Sequence, residues 1–234
     1  ALPIFSERHS NYYKIKVMRD ERPWTLRLNL DHLLHSIVDP ERPTFLYYEH
    51  EGIQMEFLRD VRMRTNEPKV LVIGGGGYTF PRCARTLLPE TQVDVVEIDP
   101  AVTQVAIENL GFDPKLGVNI RHMDGRQFVA EDATPGSYDL ILLDAVNDYS
   151  VPSHLTTREF NDAVKHCLKS NGIYLLTVID SCGNGRLWKA AMRTLQKTFS
   201  HVRLISSREL DWSNFEQRQV FVLYASRSEE HTSE

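Results

Sequence analysis

The sequence predicts an α/β fold: a doubly wound, mostly parallel sheet that is preceded by a small antiparallel sheet. After residue 68, short apolar runs alternate with amphipathic helical segments, which is the pattern of a doubly wound sheet. The runs at 69–74 and 93–99 are almost unbroken, as expected for parallel strands that are covered on both faces. Before residue 55, apolar and polar residues alternate, as in strands with one face in water.

The N-terminal part, residues 1–55, is predicted to consist of β-strands joined by hairpins. Ile15 and Val17 lie on one face of the first clear strand, and alternate leucines between residues 26 and 30 lie on one face of the next. The segment 47–61 is predicted to be a helix that leads into the second domain.

Residues 56–226 are predicted to form a Rossmann-like domain in which strands and helices alternate. Asp99 can cap a helix that begins at Pro100, because a short polar side chain before a proline is typical of a helix start. A later helix is predicted to begin with a capping box at Thr156 and to end at Gly172.

The composition is that of a globular protein and excludes several function classes. A net charge of −5 without a basic cluster argues against nucleic acid as a partner. Three scattered cysteines and nine histidines without paired ligand spacing argue against a disulfide framework and a metal site. Scattered cysteines that read as buried thiols fit a reducing cytoplasm. Without a run of about 18 apolar residues, no membrane insertion is expected in this segment. Residues 227–234, "RSEEHTSE", resemble a translated sequencing adapter and are interpreted as a non-native tail.

A glycine-rich loop follows the first strand of the second domain. The segment "VLVIGGGGYTFPR" (70–82) contains four glycines in succession, Gly74, Gly75, Gly76 and Gly77. Ligands of doubly wound sheets bind at the carboxyl ends of the strands, so we expect a ligand close to this backbone. The dinucleotide pattern G-x-G-x-x-G fails because the sixth residue from Gly74 is Thr79, and the phosphate-binding Gly-Lys-Ser/Thr pattern is missing.

Two acidic residues follow the next two strands and narrow the choice of ligand. Glu97 ends the second strand, 23 residues after Gly74, where a carboxylate can bind both hydroxyls of a ribose. Asp124, followed by Gly125, ends the third strand, where it can accept a hydrogen bond from an adenine amino group. Either acid alone could be a helix cap, but a glycine loop and two acids on three successive strands together form the layout of a class I S-adenosylmethionine site.

Several motifs together resemble the spermidine synthase family, the polyamine aminopropyltransferases. They are "FLYYE" (45–49), "VLVIGGGG" (70–77), "VEIDPAV" (96–102), "MDGRQF" (123–128), "YDLILLDA" (138–145) and "LTTREF" (155–160). The resemblance runs from about residue 12 to residue 224. It implies an N-terminal β-sheet followed by a Rossmann-like class I S-adenosylmethionine-dependent methyltransferase fold, seven-stranded with the last strand antiparallel. It is strongest for a divergent branch in which this domain follows a membrane-embedded, transporter-like region, which would suit a chain that begins without Met.

The resemblance implies a displacement reaction. An amine attacks a methylene group beside the sulfonium of decarboxylated S-adenosylmethionine, and methylthioadenosine leaves. Asp144 ends the fourth strand at the position of the family's catalytic Asp and would be the base for the amine; its alternative role is a helix cap. Tyr47 falls at a tyrosine of the family's substrate pocket, and a core tyrosine is equally compatible with the pattern.

The chain departs from the family pattern at three places. Gly77 stands where the family loop has the Asp that holds the propylamine, and His35 stands where the N-terminal sheet has a Gln. Asn147 stands at the second Asp of the family's D-S-S-D-P motif, and Asp148 lies one place later. The nucleoside-binding residues therefore match the family, whereas the residues for the diamine and the propylamine differ.

Three functions remain open at this point. The first is aminopropyl transfer from decarboxylated S-adenosylmethionine to a small amine acceptor. The second is methyl transfer from ordinary S-adenosylmethionine, which Gly77 would permit because no Asp would face the methionine carboxylate. The third is a non-catalytic nucleoside-sensing module of a membrane protein. A homodimer and a fusion to a membrane domain are also compatible with the sequence.

Overall fold

The N-terminal part forms a four-stranded antiparallel sheet, as predicted. The computed structural model describes residues 4–146, 151–205 and 218–227. The strands lie in the order of the chain: β1 (Ile4–His9), β2 (Lys14–Arg19), β3 (Leu26–Leu30) and β4 (Leu33–Val38). β3 and β4 form a tight hairpin at Asp31, which has a left-handed backbone (φ +52°) and accepts a hydrogen bond from the Lys14 N–H at 2.8 Å.

The second sheet has seven strands, and it confirms the predicted fold class. They are β5 (Lys69–Ile73), β6 (Gln92–Val96), β7 (Val118–Arg121), β8 (Tyr138–Leu143), β9 (Leu168–Ser181), β10 (His201–Ile205) and β11 (Arg218–Ser226). Their order across the sheet is β10-β11-β9-β8-β5-β6-β7. The pairs between β9 and β7 are parallel, whereas β11 runs antiparallel to both β9 and β10. After β5, the chain places β6 and β7 on one side of this strand and then β8 and β9 on the other side. The carboxyl end of β5 is therefore the switch point, the place at which doubly wound sheets bind ligands.

Helices connect these strands. They are α1 (Glu49–Arg64), α2 (Thr79–Leu87), α3 (Pro100–Asn109), the short α4 (Gly125–Gln127), α5 (Arg158–Cys167) and α6 (Leu187–Leu195). Within the described ranges, none of these helices combines the length and the apolar character that crossing a membrane requires.

The start of α3 is confirmed, and that of α5 needs a correction. Asp99 caps α3 by accepting the Ala101 N–H at 2.9 Å, with Pro100 in the first turn. The cap of α5 is Thr157, not Thr156, because the Thr156 hydroxyl donates backwards to the Ser153 carbonyl. The helix ends at Cys167, and Gly172 lies inside β9.

The unbroken apolar strands are explained by a core on each face of the second sheet. Val70 and Val72 of β5 belong to one apolar cluster, and the intervening Leu71 and Ile73 belong to the other. The first cluster also contains residues of the N-terminal sheet and of α1, including Ile15, Val17, Leu58 and Val61. The proposed boundary between residues 55 and 56 therefore falls inside α1, a helix that is packed into both parts.

Contacts within the protein require the first two glycines of the loop after β5. A Cβ atom on Gly74 would lie 2.5 Å from the carbonyl oxygen of Asp144, and Gly74 also has a left-handed φ of +104°. A Cβ atom on Gly75 would lie 2.7 Å from the ring of Tyr78, which is fully buried under the loop. The absence of side chains here is needed for packing, whether or not a ligand approaches.

The fourth glycine packs against the N-terminal sheet. A Cβ atom on Gly77 would lie 2.8 Å from Cβ of Ser36 and 2.9 Å from a methyl group of Val38. The Gly77 N–H donates to the Ser36 hydroxyl at 3.0 Å. The loop is thus fastened to β4, and this contact brings the N-terminal sheet over the carboxyl end of β5.

Gly52 offers a test of the α1 backbone. It lies inside the helix, and an added Cβ atom would meet no other atom within 4 Å. We expect Gly52→Ala to raise the free energy of unfolding by about 0.5–1 kcal/mol, because Ala loses less backbone entropy than Gly in a helix. The difference in the free energy of unfolding is measured by urea unfolding. The matched control, Gly111→Ala, should destabilise, since Gly111 has φ +73° and an added Cβ would overlap the Pro40 carbonyl. If the two changes altered the free energy of unfolding equally, the difference in packing between Gly52 and Gly111 would be contradicted.

Gly77→Asp would introduce the acid of the resembled family. We expect it to lower the free energy of unfolding by about 1–3 kcal/mol, because the new Cβ overlaps Ser36 and Val38 in a packed site. Gly52→Asp is the control, as it adds the same side chain in open space. Combining Gly77→Asp with Ser36→Gly should recover part of the loss. A Gly77→Asp variant as stable as the parent would show that the loop does not pack on β4.

Candidate functional site

Two adjoining clefts open at the carboxyl edge of the seven-stranded sheet. The α1 cleft lies between the N-terminal sheet, α1 and the ends of β9 and β11, and has an open volume of about 760 Å³. The β6–β7 cleft lies beyond the ends of β6 and β7, and has an open volume of about 710 Å³. The residues common to both linings are His35, Gly74, Gly76, Asp144 and Val146, so the clefts meet at Asp144.

The glycine loop contributes its backbone to the clefts, but not along its whole length. Gly74 and Gly76 line both clefts, and Gly75 lines the α1 cleft. Gly77 lines neither cleft, because it is turned toward Ser36. The cosubstrate roles predicted for the four glycines stay predictions, and Gly77 is the one of the four that lies outside both linings.

Glu97 both holds the glycine loop and lines the β6–β7 cleft. Its Oε2 accepts the Gly75 N–H at 2.8 Å, and its Oε1 accepts the Asp99 N–H at 2.9 Å. The residue is only 6% exposed; burial raises the pKa of Glu97, and these N–H donors oppose the shift. The Gly76 N–H also acts on this carboxylate. Because a carboxylate has about four lone-pair positions, Glu97 retains acceptor capacity for a ligand hydroxyl group.

Asp124 is more occupied than the sequence suggested. Its Oδ1 caps α4 by accepting the N–H groups of Arg126 and Gln127, at 2.9 and 3.1 Å. Its Oδ2 lies 2.9 Å from Nε2 of His154, which lines the same cleft. Gly125 also lines this cleft, and a side chain there would press on Ile73. Both readings of Asp124, helix cap and cleft residue, are thus compatible with its position.

Asp144 stands where the two clefts join. It follows β8, and its N–H donates to the Ile73 carbonyl at 2.9 Å, which aligns the ends of β8 and β5. Its Oδ2 lies 3.3 Å from Nε2 of His50 and accepts a hydrogen bond from Gln54 Nε2 at 3.3 Å. Burial by itself raises the pKa of Asp144, but the charge and hydrogen bond of His50 and the Gln54 amide outweigh it, so the pKa is lowered.

The polar face of α1 is the part of the site that sequence reasoning missed. His50, Glu51 and Gln54 line the α1 cleft. Glu51 is 5% exposed; its Oε2 accepts the N–H groups of Tyr47 and Tyr48, and its Oε1 accepts the Thr79 hydroxyl. Burial raises the pKa of Glu51, and the hydrogen bonds and His50 oppose this.

A signal for this face was present in the sequence. The buried stripe of α1 continues backwards from Val61 and Leu58 at helical spacing to Gln54 and Glu51. Polar residues at positions that periodicity assigns to a core indicate a functional or hydrogen-bonded cluster.

Tyr47 lies outside the two clefts, and its role in a substrate pocket stays a prediction. Its side chain is turned outward: the residue is 42% exposed, and the Arg22 guanidinium lies 4.4 Å from its ring centre. It lines neither cleft, whereas its neighbour Tyr48 lines the α1 cleft. Tyr48 is the N-cap of α1, and consecutive residues at a helix start project to different sides.

His35 lines both clefts and connects the two parts of the chain. Its Nε2 lies 2.8 Å from the carbonyl oxygen of Val146, and its Nδ1 lies 3.1 Å from that of Leu33. It thereby ties β4 to the segment that follows Asp144. Asn147 and Asp148 lie outside the described residues, so their substrate roles stay predictions.

Other chemistries find little support among the described residues. Within ranges 4–146, 151–205 and 218–227, no group of three His, Cys, Asp or Glu side chains could hold a metal ion. All three cysteines are buried, and burial raises the pKa of Cys83 and that of Cys167 to about 11. Thiols with such pKa values carry almost no thiolate at neutral pH.

Comparison with known proteins agrees with this geometry. The family model described as "Spermine/spermidine synthase domain" matches residues 53–207, about two thirds of the chain. A curated "Polyamine aminopropyltransferase" of Vibrio vulnificus is 35% identical over 132 residues, which cover 56% of this chain and 43% of that protein. The chain spans less than half the length of the first curated relatives that it matches.

Two solved structures share the fold. The crystal structure of a probable spermidine synthase from Corynebacterium glutamicum has a TM-score of 0.86 at 23% identity, covering 99% of this chain and 83% of that one. Human methyltransferase-like protein 13, in complex with SAH, has a TM-score of 0.66 at 22% identity, covering 80% of this chain and 86% of that one. The strand order, the strand-end acids and the matched domain lead to one conclusion: this chain belongs to the spermine/spermidine synthase family.

Proposed function

We propose that this chain transfers an aminopropyl group from decarboxylated S-adenosylmethionine to the nitrogen of a small amine. Membership of the spermine/spermidine synthase family supports this. The single observation that carries the proposal is the position of Asp144. This carboxylate lies where the two clefts meet, so one group can face a cosubstrate in one cleft and an acceptor in the other.

The β6–β7 cleft suits the adenosine part of the cosubstrate. Glu97 would accept a ribose hydroxyl through the acceptor capacity that its backbone contacts leave free. Asp124 would accept a hydrogen bond from the adenine amino group. That donor would either replace His154 at Oδ2 or share this oxygen with it. The backbone of Gly74 and Gly76 would lie beside the sulfonium, because these glycines line both clefts.

The α1 cleft suits a cationic acceptor, because two of its described lining residues, Asp144 and Glu51, are acidic. Asp144 would accept an N–H hydrogen bond and then a proton from the amine, which frees the nitrogen lone pair. That lone pair forms the new C–N bond, and the C–S bond breaks with its electrons going to sulfur. The sulfonium becomes the neutral thioether of methylthioadenosine, so charge and atoms balance.

Methyl transfer from ordinary S-adenosylmethionine is the second candidate. The observation that favours it is Gly77, which packs against Ser36 and presents no acid to the clefts. A relative of the fold, methyltransferase-like protein 13, is described in complex with SAH. Asp144 would serve the same purpose in either reaction, because both transfer an alkyl group from a sulfonium to a nucleophile.

Product analysis separates the candidates. The protein is incubated with decarboxylated or ordinary S-adenosylmethionine and a panel of mono-, di- and triamines, and the products are identified by mass spectrometry. We expect an aminopropylated amine and methylthioadenosine from the decarboxylated cosubstrate. A methylated product would replace the proposal by methyl transfer. Tight binding of methylthioadenosine without any product would favour the nucleoside-sensing module.

Asp144→Asn tests the proposed base. We expect turnover to fall by roughly 10²–10⁴-fold, because Asn keeps the shape but cannot accept the proton. The affinity for methylthioadenosine, measured by calorimetry, should change little, since Glu97 and Asp124, which would hold the adenosine, are unchanged. Asp60→Asn, on the exposed side of α1, is the control. Normal turnover together with a lower melting temperature would assign Asp144 a purely structural role.

A further inference from the structure

We propose that His50 and Gln54 form a clamp on α1 that holds one oxygen of Asp144 and leaves the other for the acceptor amine. Both are positioning residues in this proposal, which rests on the proposed function, because they act on the substrate through Asp144. The juxtaposition is specific: two donors from the same helix reach Oδ2 of a residue some 90 positions later in the chain.

The geometry of the clamp follows from helical spacing. His50 and Gln54 are four residues apart, so their side chains lie one above the other on one face of α1. His50 Nε2 and Gln54 Nε2 each lie 3.3 Å from Oδ2 of Asp144. The same Gln54 nitrogen lies 3.3 Å from the hydroxyl of Thr177 on β9, which fixes the amide between the helix and the sheet.

The described residues make no hydrogen bond to the other carboxylate oxygen, Oδ1. Because Asp144 lines both clefts, Oδ1 is the acceptor that remains for an N–H group of a bound amine. A carboxylate that is held through one oxygen presents the other in a constant direction. The clamp would thus orient the attacking nitrogen toward the sulfonium, which is the kind of positioning that raises turnover.

The state of His50 argues against a purely structural role. Its Nδ1 is buried and has no hydrogen-bond partner among the described residues, so Asp144 accounts for the polar contact of the ring. An apolar side chain would fill this place without leaving a buried nitrogen unpaired. The neighbouring helix start is already held by Glu51, which accepts the N–H groups of Tyr47 and Tyr48.

The clamp also sets the charge of Asp144. The titratable groups that face the pair are Glu51 and Tyr48 from α1 and His35 from β4. Burial raises the pKa of Asp144, and His50 is the main opposing influence, with Gln54 and His35 adding to it. Because the net pKa is lowered, Asp144 is ionised at neutral pH. Removing His50 takes away the main influence that opposes burial, so the pKa of Asp144 rises and the acid limb of the rate profile moves to higher pH.

The test compares His50→Ala, His50→Gln and Gln54→Ala with the parent protein. We expect His50→Ala and Gln54→Ala to lower kcat by about tenfold to a hundredfold, the usual effect of losing an orienting contact. The KM of the cosubstrate and the affinity for methylthioadenosine should be unchanged. His50→Gln should recover most of kcat, because the Gln amide can donate to Oδ2. His166→Ala, an exposed histidine on α5, is the control and should behave like the parent.

Two further measurements decide between a clamp and a packing role. In an Asp144→Asn background, His50→Ala should cause no additional loss of kcat, because the carboxylate that His50 orients is already gone. The Asp144 carboxyl carbon, followed by NMR in the free protein, should titrate below the ordinary Asp value and move up in His50→Ala.

Three results would overturn the proposal. The first is a further loss of kcat when His50→Ala is added to Asp144→Asn, and the second is an Asp144 pKa that is the same in His50→Ala as in the parent protein. The third is a folded His50→Gln variant whose kcat is as low as that of His50→Ala. The NMR titration needs no turnover. If no amine is alkylated by the parent protein, the proposed function fails, and the clamp is still accepted or rejected by the titration.

Discussion

The close approach of Gly74 to the backbone of Asp144 is the contact on which the rest of the site depends. The Asp144 N–H bonds to the Ile73 carbonyl at 2.9 Å, and a side chain on Gly74 would collide with the Asp144 carbonyl. This contact brings together the ends of two neighbouring parallel strands at the switch point of the sheet. The candidate base and the glycine loop therefore share one corner, and both clefts open from it.

Acidic residues around this corner fix the backbone in the absence of a ligand; Glu97 and Glu51 are buried, and Asp124 is partly exposed. Glu97 holds the glycine loop, Asp124 caps α4, and Glu51 holds the start of α1. Taking a carboxylate out of water is costly, and charge-assisted hydrogen bonds from backbone N–H groups offset part of that cost. The lone pairs that remain are preoriented, because the oxygens that carry them are already fixed. A site built in this way would bind polar ligands with little further reorganisation.

The N-terminal sheet completes the site, and α1 joins it to the α/β part. Ser36 of β4 bonds to the Gly77 N–H, His35 bridges to the segment after Asp144, and α1 presents its polar face to the same carboxylate. The packing of Gly77 also explains its departure from the family pattern. Its Cα lies against Ser36 and Val38, so the space that an aspartate would need is filled by the N-terminal sheet.

The sequence by itself determined the fold class, the antiparallel N-terminal sheet and the strand ends at which Glu97, Asp124 and Asp144 stand. Hydrophobic periodicity identifies each strand from a few consecutive residues. The carboxyl ends of parallel strands lie at one ligand-binding edge, so the residue that follows each strand can be placed at that edge. Only the tertiary structure decided which side chains meet there. The partners of Asp144 lie about 90 residues away on α1, Gly77 faces β4 instead of a cleft, and Tyr48 replaces Tyr47 in the lining. Such pairings depend on how helices and sheets pack, and the residues near each position in the chain do not determine that packing.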